Sequence, residues 1–252
     1  MIGRIAWLGG LLALALLTTF LQLDRQSETT PALAAMVPEP LRGYAQVPIA
    51  DAAVKGGDRA LGLAEARRLV RRRPVPAEHL TLLALAQTRA GDVEQAGLTV
   101  QIAAQRGWRE PLAQEAVLRL ALEAGDKPEA ARRYTALFLR AATPDALLRE
   151  VGPAVLEETG GPGQQTLVDI ISATDRWNEM FLRRGVKVMS PPTFADITAA
   201  TIERGVRYDC GVLTQTLKAL GQADPNAASR VRTAAGGQCP DLGGESGFRA
   251  AG

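Results

Sequence analysis

The sequence predicts an all-α protein: a solenoid of helical hairpins that ends in a helical cap and follows a transmembrane helix. Aromatic residues make up only 4% of the chain, and Ala, Leu and Arg are abundant, which favours helices over sheets. A long uncharged run near the start predicts the transmembrane helix, and glycines at a fixed interval predict the hairpins. Lys and Arg number 29 against 27 Asp and Glu, and this balance gives no support for nucleic-acid binding.

The membrane prediction rests on Ile5–Leu23, a run of 19 residues without a charge. As a helix it spans about 28 Å, close to the roughly 30 Å of a bilayer core. Arg4 precedes the run, whereas Asp24, Arg25 and Glu28 follow it, and the charge of Arg25 is offset by its acidic neighbours. Because a positive flank stays in the cytoplasm, we expect a single pass across a bacterial inner membrane, with a cytoplasmic N-terminus and a periplasmic C-terminal domain.

Two other interpretations of this run remain open. A signal peptide cleaved at Ala32-Leu33-Ala34 would leave a soluble periplasmic protein, although that site lies far beyond the apolar run and across three charges. A buried core helix is the third possibility. Because the cleavage site is remote from the run, we assign residues 1–24 to a signal anchor. Residues 25–47 are assigned to a linker, because Pro31, Pro38, Pro40 and the following Pro48 should prevent a regular helix in this region.

Gly57, Gly91 and Gly125 are spaced 34 residues apart, and Asp follows each of them. A glycine can end one helix in a left-handed cap, and the following Asp can accept hydrogen bonds from the first amides of the next helix. A 34-residue period with this turn predicts stacked helical hairpins over residues 48–178.

Two segments, 77–110 and 111–144, resemble the tetratricopeptide repeat family in their small and apolar positions. The resemblance is carried by Leu83-Ala84, Gly91, Ala96, Val100 and Ala103 in the first segment, and by Val117-Leu118, Gly125, Ala130, Tyr134 and Leu137 in the second. It implies a right-handed α-solenoid in which the first helix of each hairpin lines a concave, protein-binding groove. The residues that would line this groove are Glu78, Thr81, Leu85, Thr88, Arg89, Glu115, Arg119, Leu122 and Glu123.

Residues 179–235 lack the period and should form capping helices, whereas the Gly-rich segment 236–252 should be a flexible tail. Cys210 and Cys239 are the two cysteines of the chain. In an oxidising compartment they are a candidate disulfide pair, and two free buried thiols are the alternative.

Residues that suit catalysis are scarce. His79 is the single histidine, and it lies near the start of a predicted helix, where a surface or capping role is expected. We expect no catalytic centre, cofactor or metal. Arg67–Arg73 is the densest basic cluster; it suits the end of a helix, or contact with an anionic lipid or polymer.

The main functional hypothesis is a membrane-anchored scaffold that binds another protein through its groove. Membrane contact would be made through residues 5–23, and the role would lie in cell-envelope or exopolysaccharide assembly, or in secretion. A helical carbohydrate-active enzyme and a self-associating structural spacer are the alternatives.

Overall fold

The structure, a computed structural model, describes residues 2–243; Met1 and residues 244–252 lie outside the described part. Within residues 2–243 the regular structure is entirely helical. The α-helices are α1 Ile2–Gln26, α2 Gln46–Lys55, α3 Arg59–Arg72, α4 Ala77–Ala90, α5 Val93–Arg106, α6 Pro111–Glu123, α7 Lys127–Phe138, α8 Asp145–Leu156, α9 Pro162–Ser172, α10 Asn178–Val188, α11 Pro191–Glu203, α12 Cys210–Ala223 and α13 Pro225–Ala235. Short 3₁₀-helices span Pro31–Met36, Glu39–Leu41, Asp175–Trp177 and Pro240–Gly243.

The chain divides into two compact units, one up to Ala113 and one from Gln114 onward. The first unit contains α1, two 3₁₀-helices and α2 to α5, and the boundary falls within α6. Helices α2 and α3 pack against each other, as do α3 and α4, and α4 and α5.

The segment predicted to be a linker, residues 25–47, forms two 3₁₀-helices and packs on α1 and α2. The sequence-based expectation that the prolines of this region prevent helix formation is wrong. Pro31 is the first residue of a 3₁₀-helix, and Pro48 lies in the first turn of α2. A proline is tolerated at both places because the first amides of a helix have no intrahelical acceptor.

The predicted Gly-Asp turns lie between the helices of each pair, but Gly57 does not form the predicted left-handed cap, because α2 ends with Gly56 as its C-cap at a φ of −68°. Gly91 and Gly125 end α4 and α6 with φ of 88° and 73°, the left-handed conformation that favours glycine. Asp58 and Asp126 cap α3 and α7, each accepting a backbone hydrogen bond of 3.0 Å. The side chain of Asp92 makes no such capping bond, so the prediction holds for Asp at two of the three turns.

The second unit has one continuous core, shared by α7 to α9 and by the predicted capping helices α10 to α13. Five of the chain's aromatic residues lie buried in this core: Tyr134, Phe138, Phe181, Phe194 and Tyr208. Phe181 is central, with ring centroids 5.5 Å from Phe194, 6.2 Å from Phe138 and 6.3 Å from Tyr208. The low aromatic content is therefore concentrated where several helices meet.

Two details show how closely this core is packed. A Cβ atom at Gly185 would lie 2.7 Å from the Phe194 ring, so only glycine lets α10 approach α11 at this point. Burial raises the pKa of the Tyr134 and Tyr208 hydroxyls well above the usual range, and both remain neutral at physiological pH.

The last three helices have side-chain caps, and part of the predicted tail is ordered into a turn and a short helix. Asp209 and Asp224 cap α12 and α13 through their side chains. Ser190 caps α11 by accepting a hydrogen bond from the backbone N–H of Thr193. In the segment predicted to be a flexible tail, residues 236–238 form a turn and Pro240–Gly243 form a 3₁₀-helix. Residues 244–252 lie outside the described residues.

Candidate functional site

Helix α1 has the length and composition of a membrane span. The candidate span is Gly3–Gln26, and none of its most apolar window is buried against the rest of the protein. Side chains from Gly3 to Thr19 are exposed. An apolar helix whose whole circumference is exposed needs an apolar environment to cover it, and a bilayer provides one.

The end of α1 is held to the folded unit by a buried carboxylate. Asp24 is only 6% exposed. Its Oδ1 accepts hydrogen bonds from the backbone N–H groups of Gly43 and Ala45 at 2.8 and 2.9 Å, and its Oδ2 accepts one from Tyr44 at 3.0 Å. These donors lie just before α2, whose own N-cap residue Ala45 makes no side-chain capping bond. A carboxylate from another helix therefore satisfies the amides at the start of α2, where negative charge is favoured.

Apolar packing supports the same junction. Ala34, Val37 and Ala45 form a small core, against which Leu23 of α1 packs. Ala34 is 3% exposed and lies in the 3₁₀-helix Pro31–Met36. The peptide bond after Ala34, where the alternative signal-peptide cleavage would occur, thus lies in a 3₁₀-helix that packs on α1 and not in an extended segment.

The predicted groove residues of the first unit all lie on α4, but several are engaged within the unit. Thr81 and Thr88 donate to backbone carbonyls one turn earlier in the same helix. Arg89 donates to the carbonyl of Val54, in the last turn of α2, and so ties α4 to α2. Glu78 and Leu85 remain exposed, Leu85 by 42%.

The predicted groove residues of the second unit lie on α6. Arg119 forms ion pairs with Glu115 at 2.9 Å and with Glu150 of α8 at 3.1 Å. The two carboxylates raise the pKa of the Arg119 guanidinium above its usual value. Leu122 is half-buried against the core, and Glu123 is exposed.

An open groove that the sequence did not predict lies beside α10 in the second unit. It has a volume of about 570 Å³. Its lining is mainly charged and consists of Ala141, Asp145, Arg176, Glu179, Met180, Arg183, Arg184 and Lys187. The only local signal for it was the spacing of Arg183 and Lys187, which places both on one face of a helix.

The groove is lined by more basic than acidic side chains, so it has a net positive charge. Arg183 pairs with Glu179 at 2.8 Å, and Arg184 pairs with Asp145 at 2.9 Å. Arg176 lies over the ring of Trp177, with its Cζ 4.9 Å from the centroid. Lys187 is exposed and has no ion pair among the described residues. Arg176 and Lys187 are therefore the cations that carboxylates within this surface do not neutralise.

Arg184 forms the base of the groove and connects three segments. Its side chain is 11% exposed. Nη1 donates to the carbonyls of Phe138 at 2.6 Å and Arg140 at 2.9 Å, Nη2 donates to the carbonyl of Thr143, and Nε donates to Asp145 at 2.9 Å. Phe138 is the last residue of α7, and Arg140 and Thr143 lie in the segment before α8, so one guanidinium connects the end of α7 with the start of α8.

The remaining predicted residues have structural partners. Cys210 and Cys239 are joined in a disulfide, with Cα atoms 5.8 Å apart. His79 is buried, not on the surface, and its Nδ1 lies 2.8 Å from the carbonyl oxygen of Arg73, at the end of α3. Within residues 2–243, no group of three or more His, Cys, Asp and Glu side chains is arranged to hold a metal ion.

Comparison of the chain with protein-family models, with curated proteins and with solved structures finds no match, so the tetratricopeptide resemblance rests on the quoted residues alone.

Proposed function

We propose that the chain is a single-pass, membrane-anchored scaffold that presents a helical protein-binding domain at the membrane surface. The observation that carries the proposal is the junction at Asp24: an apolar, exposed helix ends in a buried carboxylate that is bonded to the folded unit. If α1 were a cleaved leader, its removal would also remove Asp24 and leave the three amides without their acceptor. The bonds therefore favour a helix that remains attached.

The disulfide supports an exported domain. Disulfides persist in oxidising compartments and are rare where thiols are kept reduced. Cys210–Cys239 therefore favours a periplasmic location for the C-terminal domain and, with a single span, a cytoplasmic N-terminus. In this proposal the helical pairs α2/α3, α4/α5 and α6/α7 are successive tetratricopeptide-like hairpins of a right-handed solenoid.

The surface best suited to the partner is the groove beside α10. It is open, lined by long side chains and carries two cations that no carboxylate in the groove neutralises, Arg176 and Lys187. Such a surface fits an extended acidic segment, with the exposed cations providing electrostatic complementarity and the stems of the side chains providing apolar contact.

Photocrosslinking in intact membranes tests this proposal. Met180 lines the groove and can be replaced by a photoreactive amino acid, with exposed Glu203 on α11 as the control position. We expect an adduct with another protein from position 180 and none from position 203. Adding Arg176→Glu and Lys187→Glu should reduce the adduct roughly tenfold, as expected for the loss of two charge pairs at a partly exposed surface.

The matched control reverses one lysine and one arginine elsewhere in the same unit. Lys218→Glu and Arg232→Glu change exposed residues that make no ion pair within the described chain. This control should leave the adduct unchanged. Equal loss in both double variants would show a general charge effect and contradict the groove. An adduct between two copies of the chain would support the self-associating spacer instead.

A further inference from the structure

We propose that the arginine-rich end of α3 binds the anionic headgroups of the phospholipid leaflet in which α1 ends. This inference rests on the proposed role of α1 as a membrane anchor. It concerns Arg67, Arg68, Arg71, Arg72 and Arg73, called here the α3 arginine cluster.

Contacts within the first unit place this cluster beside the end of α1. Arg73 lies with its Cζ 4.1 Å from the centroid of the Tyr44 ring. Arg72 Nη1 donates to the carbonyl of Arg42 at 2.8 Å. The backbone amide of Tyr44 is itself bonded to Asp24 at 3.0 Å. A short series of contacts therefore connects the cluster to the residue that directly follows the apolar run.

Three of the five arginines hold the end of α3 in this position. Besides Arg72 and Arg73, Arg68 pairs with Glu65 at 2.6 Å and with Glu39 at 3.4 Å. Glu39 begins a 3₁₀-helix that contacts α1. These arginines have partners inside the protein, so their role is to orient the helix.

Arg67 and Arg71 differ from the other three. Both are exposed, and neither has an ion pair or hydrogen bond within the described chain. Spaced four residues apart, they share one face of α3. A helix C-terminus favours cations in its last turn, which accounts for Arg71 but less for Arg67, one turn earlier. Two unpartnered cations held near a bilayer surface are the arrangement that attracts acidic lipid headgroups.

The distribution of charge and apolar side chains agrees with this location. Residues 24–76 contain nine basic and six acidic residues, whereas residues 77–252 contain 19 basic and 21 acidic ones. Residues 24–76 therefore have a net charge of +3 and residues 77–252 a net charge of −2, so the positive excess after the span lies in the part nearest to it. Val75, two residues after the cluster, is 81% exposed, and Met36, on the 3₁₀-helix packed against α1, is 61% exposed. Exposed apolar side chains beside cations suit the headgroup region.

Hydrogen exchange of the full chain in nanodiscs tests the inference. One set of discs contains phosphatidylcholine alone, and a second set also contains phosphatidylglycerol. We expect the backbone amides of Val70–Val75 to exchange more slowly in the anionic discs, by roughly 5- to 25-fold, the factor that one or two arginines near an anionic surface contribute. High salt should remove the difference without any substitution.

Substitutions separate specific contact from general attraction. Arg67→Glu with Arg71→Glu should abolish the difference between the two discs, whereas Arg67→Lys with Arg71→Lys should retain it. Arg207→Glu with Arg232→Glu, two exposed arginines of the second unit, is the matched control and should behave like the unmodified chain.

The outcomes are distinguishable from failure of the anchor. If the chain fails to enter either disc, the membrane-anchored scaffold itself is wrong, and the lipid contact falls with it. If it enters both discs and the exchange of Val70–Val75 is the same in each, the anchor stands and the headgroup contact is overturned. Equal loss in the control variant would also overturn it.

Discussion

Replacing Asp24 with Ala should free the end of α1 from the folded unit. Three backbone N–H groups lose their acceptor, two of them from half-buried residues and one from the buried Ala45. The loss should cost roughly 3 kcal/mol locally, since each unsatisfied buried donor costs about 1 to 3 kcal/mol and water can reach part of this site. In hydrogen exchange, the amides of residues 43–45 should then exchange about 100-fold faster.

Two further variants provide comparisons for the effect of Asp24→Ala. Asp24→Asn keeps an oxygen that can accept from Gly43 and Ala45 but places an amide group opposite the Tyr44 N–H, so an intermediate effect is expected. Asp51→Asn removes an exposed carboxylate on α2 that pairs with Lys55 at 2.7 Å, and it should cost less than about 1 kcal/mol. Unchanged exchange at residues 43–45 in Asp24→Ala would show that the carboxylate does not hold the junction.

Replacing Arg184 with Met should destabilise the second unit by about 3 kcal/mol. Methionine retains the apolar stem but removes the guanidinium, so the carbonyls of Phe138, Arg140 and Thr143 lose a charged donor. Hydrogen bonds to charged groups are worth about 1.5 to 3 kcal/mol each, and removal of a buried ionic partner costs about 3 to 5 kcal/mol. Urea unfolding of the full chain in mild detergent, followed through exchange of peptides from residues 130–200, measures the change.

The neighbouring arginine is the natural control for this variant. Arg183 is 52% exposed and pairs with Glu179 one turn away on the same helix. Arg183→Met should therefore change the free energy of unfolding by less than about 1 kcal/mol. If the two variants were equally stable, the Arg184 network would contribute no more than an ordinary surface pair, and the expected destabilisation would be wrong.

The features that could be predicted from the sequence have local causes. Gly91 and Gly125 adopt the left-handed conformation because a helix must end there and no Cβ opposes it. Asp126 caps α7 through an amide three residues ahead. The uncharged run of α1 is recognisable because its length matches a bilayer. Each of these depends on neighbours within a few residues.

The features that were missed depend on contacts between distant residues. Asp24 could be recognised only as the charge that ends an apolar run, because its three donors lie 19 to 21 residues further on. Arg184 meets its carbonyl partners 41 to 46 residues earlier in the chain. Prolines in residues 25–47 indicated an irregular spacer, since the packing that orders this segment involves α1 and α2. The spacing of basic residues on α10 was the only sequence feature that indicated the groove beside this helix.

The proposed scaffold requires above all that α1 remains attached and anchors the folded unit to the membrane. The most direct test is the mass and location of the chain in bacterial cells, measured on membranes washed with alkaline carbonate. We expect the polypeptide containing the Cys210–Cys239 disulfide to stay in the membrane fraction and to retain residues 5–23 in the same molecule. A soluble periplasmic polypeptide beginning at Ala35 would contradict the anchor.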